Sequence, residues 1–162
     1  MKFKTEIFEQ FDKKWALLTA GRKDDFNMMT ISWGGLGTLW NRPVATVYVR
    51  TSRYTHDFMD KEDYFTVSFY PEEYRKILGV LGSKSGRDID KIRDSGLTAI
   101  EARESVTFRE ADITLLCKKL YKQQMDIKAI PEYIARENYA EAAIHDMYIG
   151  EVIDIIIKEE TR

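Results

Sequence analysis

The 162-residue sequence is poor in the residues on which several classes of functional site depend. It contains one cysteine, Cys117, and two histidines, His56 and His145, which lie far apart in the chain. A single cysteine excludes an internal disulfide and any paired-cysteine redox or zinc motif, and the histidines form no HExxH pair. No GxSxG nucleophile motif is present either. We therefore expect no metal site, and the sequence identifies no catalytic residue.

The sequence also lacks a large excess of acidic or basic residues, and it lacks long hydrophobic runs. The chain has 25 basic and 27 acidic residues, so its net charge of −2 provides no general attraction to nucleic acid or anionic lipid. No stretch approaches the roughly 20 apolar residues that a membrane-spanning helix needs. The first ten residues include acidic side chains and no signal-peptide-like run. We expect a cytoplasmic protein that binds neither nucleic acid nor membranes.

What the sequence does contain is the composition of one folded domain. Hydrophobic residues make up 44% of the chain and no Pro- or Ser-rich linker interrupts it, so residues 1–162 are interpreted as a single domain. Runs of β-branched, aromatic and aliphatic residues separated by turn signals predict strands at 15–20, 28–33, 45–50, 64–70, 111–121 and 147–157. Helical spacing predicts helices at 55–61, 71–81, 88–94 and 131–138.

This order of elements favours a mainly β fold with peripheral helices. The predicted strands dominate and the predicted helices are short, which is typical of antiparallel sheets and not of alternating βαβ units. We expect a closed or nearly closed antiparallel β-barrel with the helices on its outside.

Two polar segments have the composition of anion-binding loops. Residues 83–88 combine two hydroxyls, two cations and a glycine before a helix that Asp88 could N-cap. Residues 50–55 join two arginines and three serine or threonine hydroxyls to a helix expected to open at Thr55. Amide groups at a helix start, assisted by lysine or arginine, bind phosphate. The alternative is two polar loops with ordinary helix caps and solvated cations.

A third segment suits the flat part of a ligand. Asn27, Thr30, Ser32 and Trp33 lie on a predicted strand that runs into Gly34 and Gly35, where the backbone can approach a planar ring closely. Beside phosphate-binding loops, such a strand favours a planar heterocycle with a phosphorylated tail. The alternative is a strand-to-turn junction in which Trp33 and Trp40 are partly buried core residues.

Taken in order, these segments resemble a known family. The motifs are NMMTISW at 27–33, LWNRP at 39–43, VRTSRYT at 49–55 and SKSGRD at 83–88 followed by Asp90 and Lys91, with ADITLLC at 111–117 and HDMYIGEV at 145–152 near the end. Together they resemble the flavin reductase family with the FMN-binding split-barrel fold, and its flavoredoxin-like branch in particular. Residues 101–110 and 122–143 match no motif of that family.

The resemblance implies an antiparallel split β-barrel that forms a homodimer and holds FMN near the subunit interface. It implies that the isoalloxazine ring is contacted by the strand residues Asn27, Met29, Thr30, Ile31, Ser32 and Trp33. It implies that phosphate and ribityl contacts come from Arg50, Thr51, Ser52, Arg53, Tyr54, Thr55, Ser83, Lys84, Ser85, Gly86 and Arg87, with Lys91 nearby.

The implied activity is that of an NAD(P)H-dependent flavin reductase, in which hydride passes from nicotinamide to the flavin. Such chemistry belongs to the cofactor, which agrees with the lack of a triad or acid pair. One alternative is an FMN-containing electron-transfer protein that serves a protein partner. An alternative of another class is a barrel that binds a phosphorylated ligand, or an oligonucleotide, without redox chemistry. The sequence does not distinguish NADH from NADPH.

Overall fold

The computed structural model of the chain describes residues 3–159. Its helices are α1 (Ile7–Asp12), α2 (Tyr54–Lys61), α3 (Arg75–Ser83), α4 (Lys91–Ser95) and α5 (Glu132–Tyr139), with short 3₁₀ helices at Glu72–Tyr74 and Ile127–Ala129. Its strands are β1 (Ala16–Arg22), β2 (Asp25–Ile31), β3 (Gly34–Leu39), β4 (Arg42–Arg50), β5 (Tyr64–Phe69), β6 (Ala99–Ala102), β7 (Ser105–Phe108), β8 (Ile113–Gln124) and β9 (His145–Ile157).

Seven strands form one antiparallel sheet in the order β2-β1-β5-β8-β9-β4-β3, and β6 pairs with β7 as a separate hairpin. The mainly β fold with antiparallel pairing and short helices is therefore confirmed. Strands β2 and β3 are the two edges of the sheet, so within residues 3–159 the ladder does not close on itself. The barrel is open between these edges.

Every predicted strand and helix is present, with shifted ends. The sequence did not predict α1, β3, β6 or β7. Strand β3 was missed because three of its six residues are glycines, which carry no strand signal. Strands β6 and β7 have four residues each, and β7 and half of β6 lie in the 101–110 segment that matched no motif.

Strand β1 is buried on both faces and separates two parts of the core. Leu18 packs in the cluster inside the sheet, whereas Leu17 packs on the other face with residues of α3 and of the β6–β7 hairpin. Leu17 of β1 and Met28 of β2 therefore pack with Leu78 and Leu81 of α3. This packing fixes the position of the C-terminal end of α3.

Cys117 lies in β8 and is fully buried. Burial raises the pKa of its thiol, so the side chain is an inert part of the core, as the sequence indicated. None of the helices described between residues 3 and 159 has the length and hydropathy that a membrane crossing requires.

Candidate functional site

Three segments that are distant in the sequence meet at Asn27. The Nδ2 of Asn27 on β2 donates a hydrogen bond of 2.8 Å to Oγ1 of Thr55 on α2, and both side chains are buried. Gly86 packs against the same asparagine, because a Cβ placed on Gly86 would lie 2.3 Å from Asn27 Oδ1. A larger residue at 86 would separate the 83–88 loop from β2.

Two cationic side chains occupy the C-terminal end of α3. Arg53 donates from Nη1 to the carbonyl of Gly82 at 2.8 Å, and Lys91 donates from Nζ to the carbonyl of Leu81 at 3.0 Å. Lys91 also donates to the carbonyl of Met28 on β2, at 2.6 Å. The last carbonyls of a helix have no partner inside the helix and carry a partial negative charge, which favours cations there.

Arg50, Arg53 and Lys91 form a group that we term the cation cluster. Among residues 3–159, no carboxylate lies within 4.0 Å of any of the three, and Nη2 of Arg53 is buried without a hydrogen-bond acceptor. Buried cations are ordinarily paired with a negative charge. Lys91 is buried, Arg50 and Arg53 are half-buried, and none of the three has a carboxylate partner among the described residues.

The pKa values of the cation cluster reflect this lack. Burial, followed by repulsion from Arg53, lowers the pKa of Lys91 from 10.5 to about 8. Burial and repulsion from Arg50 lower the pKa of Arg53 as well. An anion bound here would raise both pKa values towards their usual range.

Arg87 is already paired. Its guanidinium lies over the Tyr54 ring at 4.7 Å from the ring centroid, and it bonds to the carbonyl of Ser52 at 3.3 Å and to Asp57 at 3.0 Å. The remainder of the 83–88 loop is more open: Ser83 and Lys84 are exposed, and Ser85 Oγ accepts from the Arg87 amide at 3.1 Å.

Both predicted helix starts were misplaced. Helix α2 begins at Tyr54 with Arg53 at the N-cap position, and the Thr55 hydroxyl is used by Asn27. Helix α4 begins at Lys91, and its N-cap is Asp90, whose side chain accepts from the Arg93 amide. Asp88 therefore caps no helix. At α2 the Thr55 hydroxyl makes a tertiary contact instead of capping the helix. At α4 the cap is Asp90 and not Asp88, because Asp90 directly precedes the first helical residue.

The predicted ring-binding residues divide into buried and accessible ones. The side chains of Met29 and Ile31 belong to the core, and Thr30 Oγ1 donates to the Leu78 carbonyl at 2.5 Å. Ser32 and Trp33, in contrast, line an open cleft of about 890 Å³ together with residues of α1 and β3. Met29 and Ile31 can contribute only backbone groups to a ligand.

The tryptophans are not core residues. Trp33 is 46% exposed and Trp40 is 58% exposed, so the interpretation of these two residues as partly buried core is wrong. Trp33 lies beside the ring of His145, with 5.3 Å between the ring centroids.

The sequence did not single out the residues that surround Arg50. Arg50 donates to the carbonyls of Ala143 at 2.7 Å and Asn138 at 3.2 Å, and stacks on the Tyr139 ring at 5.2 Å. The Tyr139 hydroxyl lies 2.6 Å from Nδ1 of His145. Arg50 thus holds the chain after α5 beside His145 and Trp33. Tyr139 lies in a segment without a recognisable motif, so only the folded chain reveals this contact.

Comparison with known proteins places these observations in a family. The sequence pattern described as "Flavin reductase like domain" matches residues 8–162. No curated protein matches the sequence.

Solved structures share the fold. A flavoredoxin from Methanosarcina acetivorans has a TM-score of 0.71 at 21% identity, covering 100% of this chain and 77% of that one. An FMN-binding domain of a flavin reductases-like enzyme from Shewanella baltica OS155 has a TM-score of 0.67 at 18% identity, with coverages of 94% and 73%. The styrene monooxygenase flavin reductase from Pseudomonas putida S12 has a TM-score of 0.66 at 16% identity, with coverages of 90% and 80%.

These likenesses confirm the split-barrel fold class, and the sequence match over nearly the whole chain confirms the resemblance seen in its motifs. The chain belongs to the flavin reductase like domain family.

Proposed function

We propose that this protein binds FMN and acts as an NAD(P)H-dependent flavin reductase. The family supports flavin chemistry, and the structural neighbours are, by their own descriptions, FMN-binding proteins, flavoredoxins and flavin reductases. The site geometry adds two features that suit FMN in particular.

The observation that carries the proposal is the cation cluster. A phosphate dianion placed beside Arg53 would supply the missing negative charge and an acceptor for the buried Nη2. Arg50 and Lys91 would add attraction without direct contact being required. Because a neutral ligand would leave the three charges uncompensated, FMN fits this end of the site and riboflavin does not.

The cleft beside Ser32 and Trp33 suits the ring. Gly34 and Gly35 follow directly, and nothing lies within 4 Å of a Cβ placed on Gly35, so a flat molecule can approach the backbone there. When bound, FMN supplies the acceptor for a hydride from nicotinamide. The chain supplies orientation: Trp33 offers an exposed aromatic face, and β2 and β3 each have one edge that pairs with no other strand of the sheet.

His145 completes the ring side as a neutral group. Burial, followed by the Arg50 charge, lowers the pKa of this imidazole from 6.5 to about 4. At neutral pH it therefore adds no positive charge beside Trp33, and its Nδ1 is held by the Tyr139 hydroxyl. Arg50 is then the cation of the cluster on this side of the site.

We also propose a homodimer in which the β3 edge of one chain meets a second copy. β3 is an edge strand, and the exposed aromatics Phe8 (89%) and Trp40 (58%) lie on α1 and beside β3. An unpaired edge flanked by exposed aromatic side chains is typical of an interaction surface.

Removing the Arg53 guanidinium should weaken FMN binding about 10- to 100-fold, because a charge-assisted hydrogen bond to phosphate is lost. Fluorescence titration of FMN into the Arg53→Ala variant measures this. Arg136→Ala is the matched control, since Arg136 is 69% exposed on α5. Equal affinity in a folded Arg53→Ala variant would contradict the phosphate assignment. A wild-type chain that takes up no FMN would favour the phosphorylated-ligand barrel without redox chemistry.

Mixing the FMN-loaded protein anaerobically with NADH or NADPH should bleach the oxidised flavin absorbance in a single turnover with at least one donor. Stopped-flow absorbance measures the rate for each nucleotide, and dithionite reduction is the control for a redox-competent flavin. If dithionite reduces the flavin and neither nucleotide does, the electron-transfer protein is the better interpretation.

Lowering the pH should remove stability that neutral His145 provides. The unfolded imidazole binds a proton below about pH 6.5 and the folded one only below about pH 4, so the contribution is complete above pH 6.5 and is lost as the pH falls towards 4. The expected loss is about 1–3 kcal/mol. Urea unfolding of the wild type and of His145→Asn from pH 7.5 to 4.5 measures it: the stability advantage of the wild type should shrink with acidification. An advantage that is constant with pH would show that His145 titrates normally.

Sedimentation equilibrium should give the mass of two chains for the wild type. Trp40→Glu should shift the protein towards monomer, because a charge would be buried at the proposed interface. Tyr133→Glu is the control, since Tyr133 is 61% exposed on α5. A wild-type chain that stays monomeric at high concentration would refute the dimer.

A further inference from the structure

A second polar cluster lies where α2 packs against the middle of the sheet. His56 and Asp60 stand one turn apart on α2, Asp146 and Tyr148 share one face of β9, and Lys122 projects from β8. The flavin site proposed above uses none of these five side chains. We term them the α2–β9 cluster.

The donor atoms of this cluster are close enough to share one metal ion. His56 Nε2 lies 2.6 Å from Asp146 Oδ2, and His56 Nδ1 lies 3.8 Å from Asp60 Oδ2. One ligand atom from each of the three residues can be chosen so that all lie within 4.8 Å of one another. One ion would bind only one of the two ring nitrogens of His56. Because ligands of a tetrahedral zinc ion lie about 3.4 Å apart, the three side chains would shift slightly on binding.

A cation already occupies the place between the carboxylates. Lys122 Nζ lies 2.7 Å from Asp60 Oδ1 and 3.5 Å from Asp146 Oδ2, and the Tyr148 hydroxyl donates to Asp60 Oδ1 at 2.6 Å. Burial opposes ionisation of Asp60, but hydrogen bonds from Lys122 and Tyr148 outweigh it and lower the pKa of that carboxyl. The side chain of Lys122 is 39% exposed, so it is free to swing out into solvent.

The lysine does not satisfy the cluster fully. Lys122 faces two carboxylates, those of Asp60 and Asp146. Asp146 is only 3% exposed, and its carboxylate is directed into the cluster at His56. Its second oxygen, Oδ1, is buried without a hydrogen-bond partner among residues 3–159. An unpaired carboxylate oxygen in such a position is costly unless a cation reaches it.

We propose that His56, Asp60 and Asp146 form a binding site for a divalent transition-metal ion of the zinc type, and that Lys122 competes with the metal for it. One imidazole nitrogen and two carboxylates form a ligand set that zinc accepts, with a fourth position left for water. The ion would replace Lys122 as the cation that faces the two carboxylates. No motif in the sequence announced this site, because its ligands come from two elements ninety positions apart.

The bound ion would fasten α2 to β9. Helix α2 begins at Tyr54, next to Arg53, so the metal would stabilise the helix that carries part of the cation cluster without touching the flavin site. The effect expected is on stability, and it holds whether or not the proposed flavin function is correct.

The test uses the full chain with any affinity tag removed, dialysed against chelator and titrated with ZnCl₂ at pH 7.5 in a calorimeter. Wild-type protein should bind one zinc ion per chain and unfold at a higher temperature with zinc than without. Lys122→Met should bind zinc at least about tenfold more tightly, since a competing positive charge is removed. Lys118→Met is the matched control on the same strand, because Lys118 is exposed and outside the cluster.

Replacing a proposed metal ligand should have the opposite effect on zinc affinity. Asp60→Asn, at a side chain that is 40% exposed, should weaken zinc binding at least about tenfold while the protein stays folded. Failure of the wild type to bind stoichiometric zinc would overturn the proposal, and so would equal zinc affinities for Lys122→Met and Lys118→Met. A purely structural ion pair would lower the unfolding temperature in both cluster variants and leave zinc without effect.

Discussion

Two positive charges are held at the C-terminal end of α3 by main-chain carbonyls instead of carboxylates, and the character of the site depends on this contact. Arg53 and Lys91 reach Gly82 and Leu81 in this way. Carbonyl dipoles orient a cation but do not neutralise it, so the charge remains available to an anion. Had a carboxylate taken their place, the same two side chains would form an internal ion pair and the site would have no electrostatic reason to hold phosphate.

The fold maintains this arrangement through the burial of β1 on both faces. Because Leu17 packs outward against α3 while Leu18 packs into the sheet, α3 cannot move without exposing apolar surface. Thr30 adds a direct hydrogen bond from β2 to the Leu78 carbonyl within α3, and Lys91 bonds to the Met28 carbonyl in β2. The position of the carbonyls is therefore set by core packing, and the cations follow from it.

The sequence predicted the elements whose signal is local and missed those whose signal is not. The strands of the main sheet are recognisable because β-branched and aromatic residues recur in them, whereas β3 is built on glycines and is a strand only through its pairing with β4. Thr55 has the chemistry of an N-cap, yet it is bound by Asn27, 28 positions away, and no local rule anticipates such a contact. The convergence of the three polar segments could be anticipated from their composition and order. The lack of a carboxylate around the cations could not, because it depends on every neighbour in space.

Arg50 and Arg53 show that composition alone does not distinguish the roles of two neighbouring residues of the same type. Three positions apart, they look equivalent in the sequence, and both were expected at the phosphate. In the folded chain Arg53 bonds to α3, while Arg50 bonds to the carbonyls of Asn138 in α5 and of Ala143 after it. One arginine therefore faces the end of the site that suits a phosphate, and the other links the segment of α5 to His145 and Trp33 on the side that suits a ring. Arg50 also lowers the pKa of His145, second to burial, so the charge of this arginine helps to keep the neighbouring imidazole neutral.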